Sequence, residues 1–312
     1  MFGATAEPFA NPWRFQLHLE VWILIAAVIA AYIYAVRVIG PRALPKGAVV
    51  VSRKNTYAFV VGIGLLWFAT DWPTHDIAEE YLYSVHMVQH FVLSYFVPPL
   101  ALLATPTWLF RLIIGQGKVK RAVDWLARPV IAGVIYNLVV IISHIPDVVN
   151  RSVSNGPLHY AVHVLLIVSS LLMWLCVCGP DPEYRVGYMG KMLYLFLMSV
   201  VPTVPAAWLT FADDPVYRHY NTPVRVWGID VISDQQAAGG IMKLGGAIFL
   251  WSIIIFIWFK RVFIGFDKDQ SFRRSDTIPS AEITGHEDTP LTYEEVSQRF
   301  RESEPPVSPS GN

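Results

Sequence analysis

The chain has 312 residues, 54% of them hydrophobic and only 15% charged, with a formal net charge of zero. Soluble domains carry about 25% charged residues, so this deficit, with 11 Trp and long apolar runs, indicates a protein with several membrane spans. Zero net charge removes the basic footprint of a nucleic-acid binder. The only two cysteines, Cys176 and Cys178, are too few for a thiolate cluster and too close for a structural disulfide.

Residues 1–20 hold a single basic residue, Arg14, and no small-residue cleavage site, so the first apolar segment is expected to remain as a span. Seven apolar segments follow, each near the ~20 residues a bilayer requires. They run over about 21–39, 57–70, 82–105, 129–145, 160–178, 192–211 and 238–259. The stretch 108–114 with 118–128 reads as an interfacial helix. Pro98 and Pro99 fall in the third segment, and Pro202 and Pro205 in the sixth, where helices are expected to kink. The fold class is therefore an all-α integral membrane protein of seven transmembrane helices. Its expected domains are an extracytoplasmic segment 1–20, a membrane domain 21–262 and a tail 263–312. From Asp267 the tail is acidic and rich in Ser, Pro and Thr, and is expected to be largely disordered. Thr292 with Glu295 offers a capping box for a short helix to about Arg301.

Lys and Arg orient the spans. The first, third and fifth loops hold Arg37, Arg42, Lys46, Arg53 and Lys54, then Arg111, Lys118, Lys120, Arg121 and Arg128, then Arg185 and Lys191. Lys260 and Arg261 follow the last span. The second loop has none, the fourth only Arg151, and the sixth Arg218 and Arg225. This alternation predicts the N-terminus outside and the C-terminus in the cytoplasm. All of His86, His90, His144, His159 and His163 then fall near the outer face, with Asp71, His75, Asp76, Glu79, Glu80, Asp147, Asp213 and Asp214 in the outer loops.

His86/His90 and His159/His163 are i,i+4 pairs, so each pair shares one helix face. Ionisable groups at membrane depth are functional candidates by default. Imidazoles on three helices at one depth suit copper, zinc or iron, and Cu(I) also accepts thioethers. Met87 faces about 100° away from its neighbour His86, so Met242, at the outer start of the seventh span, is the better soft ligand. Hydrogen bonding between helices is the alternative to a metal. The acidic outer loop is expected to be mostly solvated charge, with a capture site for cations as the alternative. His18 and His219 carry no pattern, and His286 lies in the tail. Cys176 and Cys178 read as small apolar residues at the far end of a helix. Asp234, Gln235 and Gln236 are read equally as orienting ligand imidazoles or as capping a helix. No nucleophile, phosphate-loop or zinc-protease motif is present, so no enzyme is indicated.

The run His86-Met-Val-Gln-His90 with Pro98-Pro99 and Ala104-Thr-Pro106 resembles the third-helix signature of the Bacillus-type CtaG cytochrome c oxidase assembly factors. His144-Ile-Pro, Leu158-His159 with His163, Gly179-Pro-Asp-Pro182, Trp227-Gly228 and Asp234-Gln-Gln236-Ala-Ala-Gly239 agree in order over 21–262. The resemblance implies a multi-pass protein of the bacterial plasma membrane that helps assemble a haem-copper terminal oxidase, supplying copper on the outer side. Its partners would be oxidase subunits, membrane lipid and an extracytoplasmic copper donor. The family's histidines correspond to His86, His90, His144, His159 and His163. A haem-binding membrane cytochrome b, a transporter and a metal-free scaffold are the alternative readings. The almost wholly apolar inner halves of the spans disfavour a transport path.

Overall fold

The computed structural model describes residues 11–275 and Gln298, with side chains to residue 263 and at Gln298. Two compact units divide the chain, Met1–Arg261 and Val262–Asn312, and every site residue described below lies in the first. The described residues are helical or irregular, with no strand among them.

α1 (Leu19–Ala43) is followed by α2 (Arg53–Thr70) and the short α3 (Thr74–Glu80). α4 (Tyr83–Ala104) carries the first histidine pair. α5 (Thr107–Ile114) and α6 (Lys118–Leu126) replace the expected interfacial helix with two pieces separated at Gly115–Gly117. α7 (Pro129–Ser143), α8 (Pro146–Val153) and α9 (Gly156–Cys178) come next, then α10 (Tyr188–Val200) and α11 (Thr203–Thr210). α12 begins at Val231, passes through a π-turn at Ile241–Gly245 and continues over Gly246–Ser275.

Among the described residues, five helices are long and apolar enough to cross a membrane: α1, α4, α9, the α10–α11 pair, and α12. A sixth is reached if α6 and α7, bent by 76°, count together. α2 falls short because its first turn is Arg53-Lys54-Asn55. It starts four residues before the expected boundary because Ser52 and Asn55 form a capping box, Ser52 Oγ accepting from Asn55 N at 3.2 Å. α7 buries Gly133, Tyr136, Asn137 and Val140 and exposes Val130, Val134, Leu138 and Ile141. Its polar group is inside and its outer stripe apolar, as lipid rather than water requires.

The prolines act differently at the two sites. Pro98 lacks an N–H, which frees the carbonyl of Ser94 four residues earlier. α4 is not broken there: it widens into a π-turn at Val92–Phe96, and the Trp174 indole of α9 donates to Ser94 O at 2.9 Å. Pro202, in contrast, sits at a true break between α10 and α11. α4 and α9 pack together, with α7 against α9 and α12 against both α4 and α11. Gly239 makes the last contact close: a Cβ there would lie 2.7 Å from Ala206 O.

α12 is helical through 267–275, within the stretch expected to be disordered. Of the rest only Gln298 is described, and it is helical; the Thr292/Glu295 capping box and His286 lie outside the described residues.

Candidate metal centre

α4 begins abruptly after Leu82, which is extended. Its first free amides are satisfied from α12: the Asp234 carboxylate accepts from Tyr83 N at 2.8 Å and from Ser84 N at 2.9 Å. A carboxylate also complements the positive end of the helix dipole. Three residues later comes His86, stacked on Tyr83 with ring centroids 5.4 Å apart. Asp234 is thus a cap, as one of the two sequence readings has it, but for the histidine-bearing helix rather than its own. Asp230 caps α12.

His86 and His90 project together from α4, ring centroids 4.3 Å apart, and meet His163 of α9. His90 Nε2 and His163 Nε2 are 3.3 Å apart. One ligand nitrogen from each of the three rings can be chosen so that all lie within 4.8 Å of one another, and all three residues are buried. Two nitrogens about 2.0–2.1 Å from a tetrahedral ion would themselves be about 3.3 Å apart. His86 Nδ1 is buried with no hydrogen-bond partner among the described residues, which leaves a lone pair or N–H uncompensated. The donor set and spacing fit a small soft or borderline cation.

The two remaining predicted histidines lie beside this group but turn elsewhere. His159 starts α9, where Asn155 caps the helix by accepting from Leu158 N at 3.1 Å. Its ring sits 4.3 Å from that of His163, yet its Nε2 pairs with Glu79 Oε1 at 2.6 Å. His144 caps α7. Its Nδ1 lies 2.6 Å from Val140 O, and its buried Nε2 has no hydrogen-bond partner among the described residues.

The acidic segment from Asp71 to Glu80, expected to be mostly solvated charge, is instead largely buried. Asp71 and Asp76 are buried, and His75 and Glu79 largely so. Trp67 Nε1 donates to Asp71 at 2.8 Å, and His18 Nε2 lies 2.8 Å from Asp76 Oδ1. His75 Nδ1 is 3.2 Å from Glu79 Oε1, and the ring of His18 packs edge-on to that of His75 at 4.9 Å. His219 Nε2 reaches Glu79 O at 3.1 Å. His18 and His219, which show no sequence pattern, therefore belong to this cluster. Asp147, Asp213 and Asp214 are exposed.

Electrostatics divides these carboxyls. Burial would raise the pKa of Glu79, but the His75 and His159 rings outweigh it and hold the group at about 2. Glu80 is pushed up to about 7 by burial and by the neighbouring charges of Asp76 and Glu79. The hydrogen bond to Asp76 raises His18, whereas burial lowers His75.

The family model described as the cytochrome c oxidase caa3 assembly factor matches residues 30–262. The chain belongs to that family. The resemblance carried by the histidine and proline motifs is borne out, over nearly the same residues. The uncharacterized protein Mb0105 of Mycobacterium bovis is 29% identical over 190 residues, covering 51% of this chain and 27% of the relative. The uncharacterized protein MT0111 of Mycobacterium tuberculosis matches to the same extent. The chain thus spans about a quarter of the length of these curated relatives. No solved structure matches.

In this member of the caa3 assembly factor family, several motif residues hold the frame. Gln235 accepts from Val216 N at 2.8 Å and donates to Tyr217 O at 2.9 Å, and Tyr217 donates to His144 O at 2.8 Å. Gln236 donates to Ala212 O. Among the described residues, neither glutamine hydrogen-bonds to an imidazole. Asp181 of the Gly-Pro-Asp-Pro run accepts from Arg111 Nε at 2.6 Å and Nη2 at 3.1 Å. Cys176 and Cys178 donate to carbonyls of their own helix, Met173 O and Trp174 O. They lie 13 or more residues beyond His163 on α9, roughly 20 Å along its axis. Lys243, which sequence reasoning missed among the apolar residues of the last span, reaches Ser199 O at 3.4 Å and Thr203 Oγ1. It fills the gap in backbone bonding at the α10–α11 break.

Proposed function

We propose that this chain is a multi-pass assembly factor of the bacterial plasma membrane that binds copper at its outer side and aids its insertion into a haem-copper terminal oxidase. The observation that carries this reading is the convergence of His86, His90 and His163 from two helices into one buried group. Membership in an oxidase assembly family supplies the destination. The Lys/Arg alternation supports seven crossings with the N-terminus outside. α2 and α7 would be the short spans, their 18 and 15 residues giving about 27 and 22 Å. In that orientation the imidazoles face the side from which an extracytoplasmic donor would deliver copper. Ionised Glu79, beside His159, would favour the approach of a cation.

Neutral imidazoles bind by a ring nitrogen while the other nitrogen is held by a hydrogen bond. Three of them leave a fourth position open, so a cargo ion can be passed on by ligand exchange. Haem is disfavoured by space: the cavity beside His90 is about 40 Å³, whereas sites for sizeable organic ligands occupy roughly 300–1,000 Å³.

The test is metal analysis with an absorption spectrum on detergent-purified protein, wild type beside the His86→Ala/His90→Ala double variant. Copper in the wild type, lost in the variant, with no Soret band is the expected result. No copper in either after loading would favour a metal-free scaffold, and a Soret band would favour a cytochrome.

A further inference from the structure

Beyond the three imidazoles lies a cavity of about 40 Å³, lined by Met87 and His90 of α4, Tyr136 of α7, His144, Pro202 and Met242. Two features of it are unexplained by packing. His144 is 5% exposed, and its Nδ1 lies 2.6 Å from Val140 O. That contact requires Nδ1 to carry the proton, so Nε2 presents a bare lone pair, and among the described residues it has no hydrogen-bond partner. A buried acceptor left without a donor is destabilising. The arrangement, one ring nitrogen pinned by a backbone carbonyl and the other free, is the one metal-bound histidines adopt.

The second feature is the pair of thioethers. Met87 was expected to face away, because it is adjacent to His86. It is, however, three residues before His90, so the two share a face. Met87 is 3% exposed and packs in the same cluster as Met242, which enters from the start of the π-turn in α12. Methionine sulfur and imidazole together are a ligand set for Cu(I), and a poor one for hard divalent ions. His90 belongs to both groups: its Nε2 faces His163, and its ring lies 5.9 Å from that of His144.

We propose that His144, Met87 and Met242 form a second, Cu(I)-selective site, loaded from the three-imidazole site through His90. Transfer exchanges ligands only: copper enters and leaves as Cu(I), and no electron or proton donor is needed. The proposal rests on the copper reading above.

The test uses the full chain in detergent, stripped of metal and titrated anaerobically with Cu(I) against a colorimetric Cu(I) chelator, with X-ray absorption at the copper edge. Wild type is expected to take two equivalents, with sulfur scattering appearing with the second. Met87→Leu/Met242→Leu, close to isosteric changes, should take one equivalent with nitrogen scattering alone. Zinc(II) should fill one site at most. If wild type takes one equivalent and shows no copper–sulfur scattering at any loading, the cavity holds water and the second site is overturned while the first stands. If wild type takes no copper at all, both fall. The sulfur signal is read on unmutated protein, so a misfolded variant cannot imitate either result.

Discussion

The Asp234 carboxylate on the last span accepts the Tyr83 amide at 2.8 Å, at the point where the helix bearing His86 and His90 begins. Asp234 is fully buried, so this contact ties the start of one span to the start of another without water to compete. It also accepts Ser84 N. Removing the carboxylate orphans two amides at once, and loss of an N-cap alone costs about 0.5–2 kcal/mol. Asp234→Ala should lower the thermal midpoint in detergent and reduce copper retention by disturbing His86. Asp234→Asn, which keeps one acceptor, should lose less. Equal copper retention in wild type and Asp234→Ala would show that the cap does not position the site.

His163 and His159 are neighbours on α9 with different partners, so their substitutions should separate. His163→Ala removes a nitrogen 3.3 Å from His90 and is expected to weaken copper affinity at least tenfold at equilibrium. His159→Ala, which releases Glu79, should leave equilibrium affinity closer to wild type and slow loading. Competition titration and stopped-flow loading distinguish the two. Identical defects would mean that His159 is itself a ligand.

Glu80 predicts a pH dependence of stability. In the unfolded chain its carboxyl titrates near 4.5, and in the folded protein at about 7. Between these values the folded state holds a proton that the unfolded state has lost, so stability falls as pH rises. The loss begins near pH 4.5 and is complete just above 7. Glu79 has the opposite sign: its contribution is present above 4.5 and is lost as pH falls towards 2. Thermal midpoints measured from pH 5 to 8 should decline in wild type and decline less in Glu80→Gln. Parallel profiles would remove Glu80 as the cause.

Gly239 sits where α12 crosses α11. A Cβ there would meet Thr210 Oγ1 at 2.5 Å, Ala206 O at 2.7 Å and Thr210 N at 2.9 Å. Two of these are backbone atoms, which cannot rotate away. Gly239→Ala should therefore cost about 1–3 kcal/mol, the range for overpacked cores, and shift the thermal midpoint down. Gly240→Ala, with open space at its Cβ, is the matched control. An unchanged midpoint in Gly239→Ala would mean the two helices can separate at no cost.

Sequence alone determined the helical class, the approximate places of the five or six long apolar helices and the pairing of His86 with His90 and of His159 with His163. Each of these follows from local periodicity, the 3.6-residue turn and the length a bilayer demands. It also marked Asp234 and the histidine motif as one constellation through the family resemblance. Only the tertiary structure decided which histidines meet. His90 and His163 are 73 residues apart in the chain, and Asp234 and Tyr83 are 151 apart. No local pattern encodes such contacts, which depend on how four helices pack. For the same reason the acidic loop after α2 reads as solvated charge from sequence, because burial of Asp71 and Asp76 depends on what covers them. Met87 lies three residues before His90, so the two share a helix face and line one cavity with Met242, a placement that depends on where the last helix packs. The apolar surface towards lipid is written in the chain, whereas the polar interior is set by the few long-range contacts that satisfy each buried donor and acceptor.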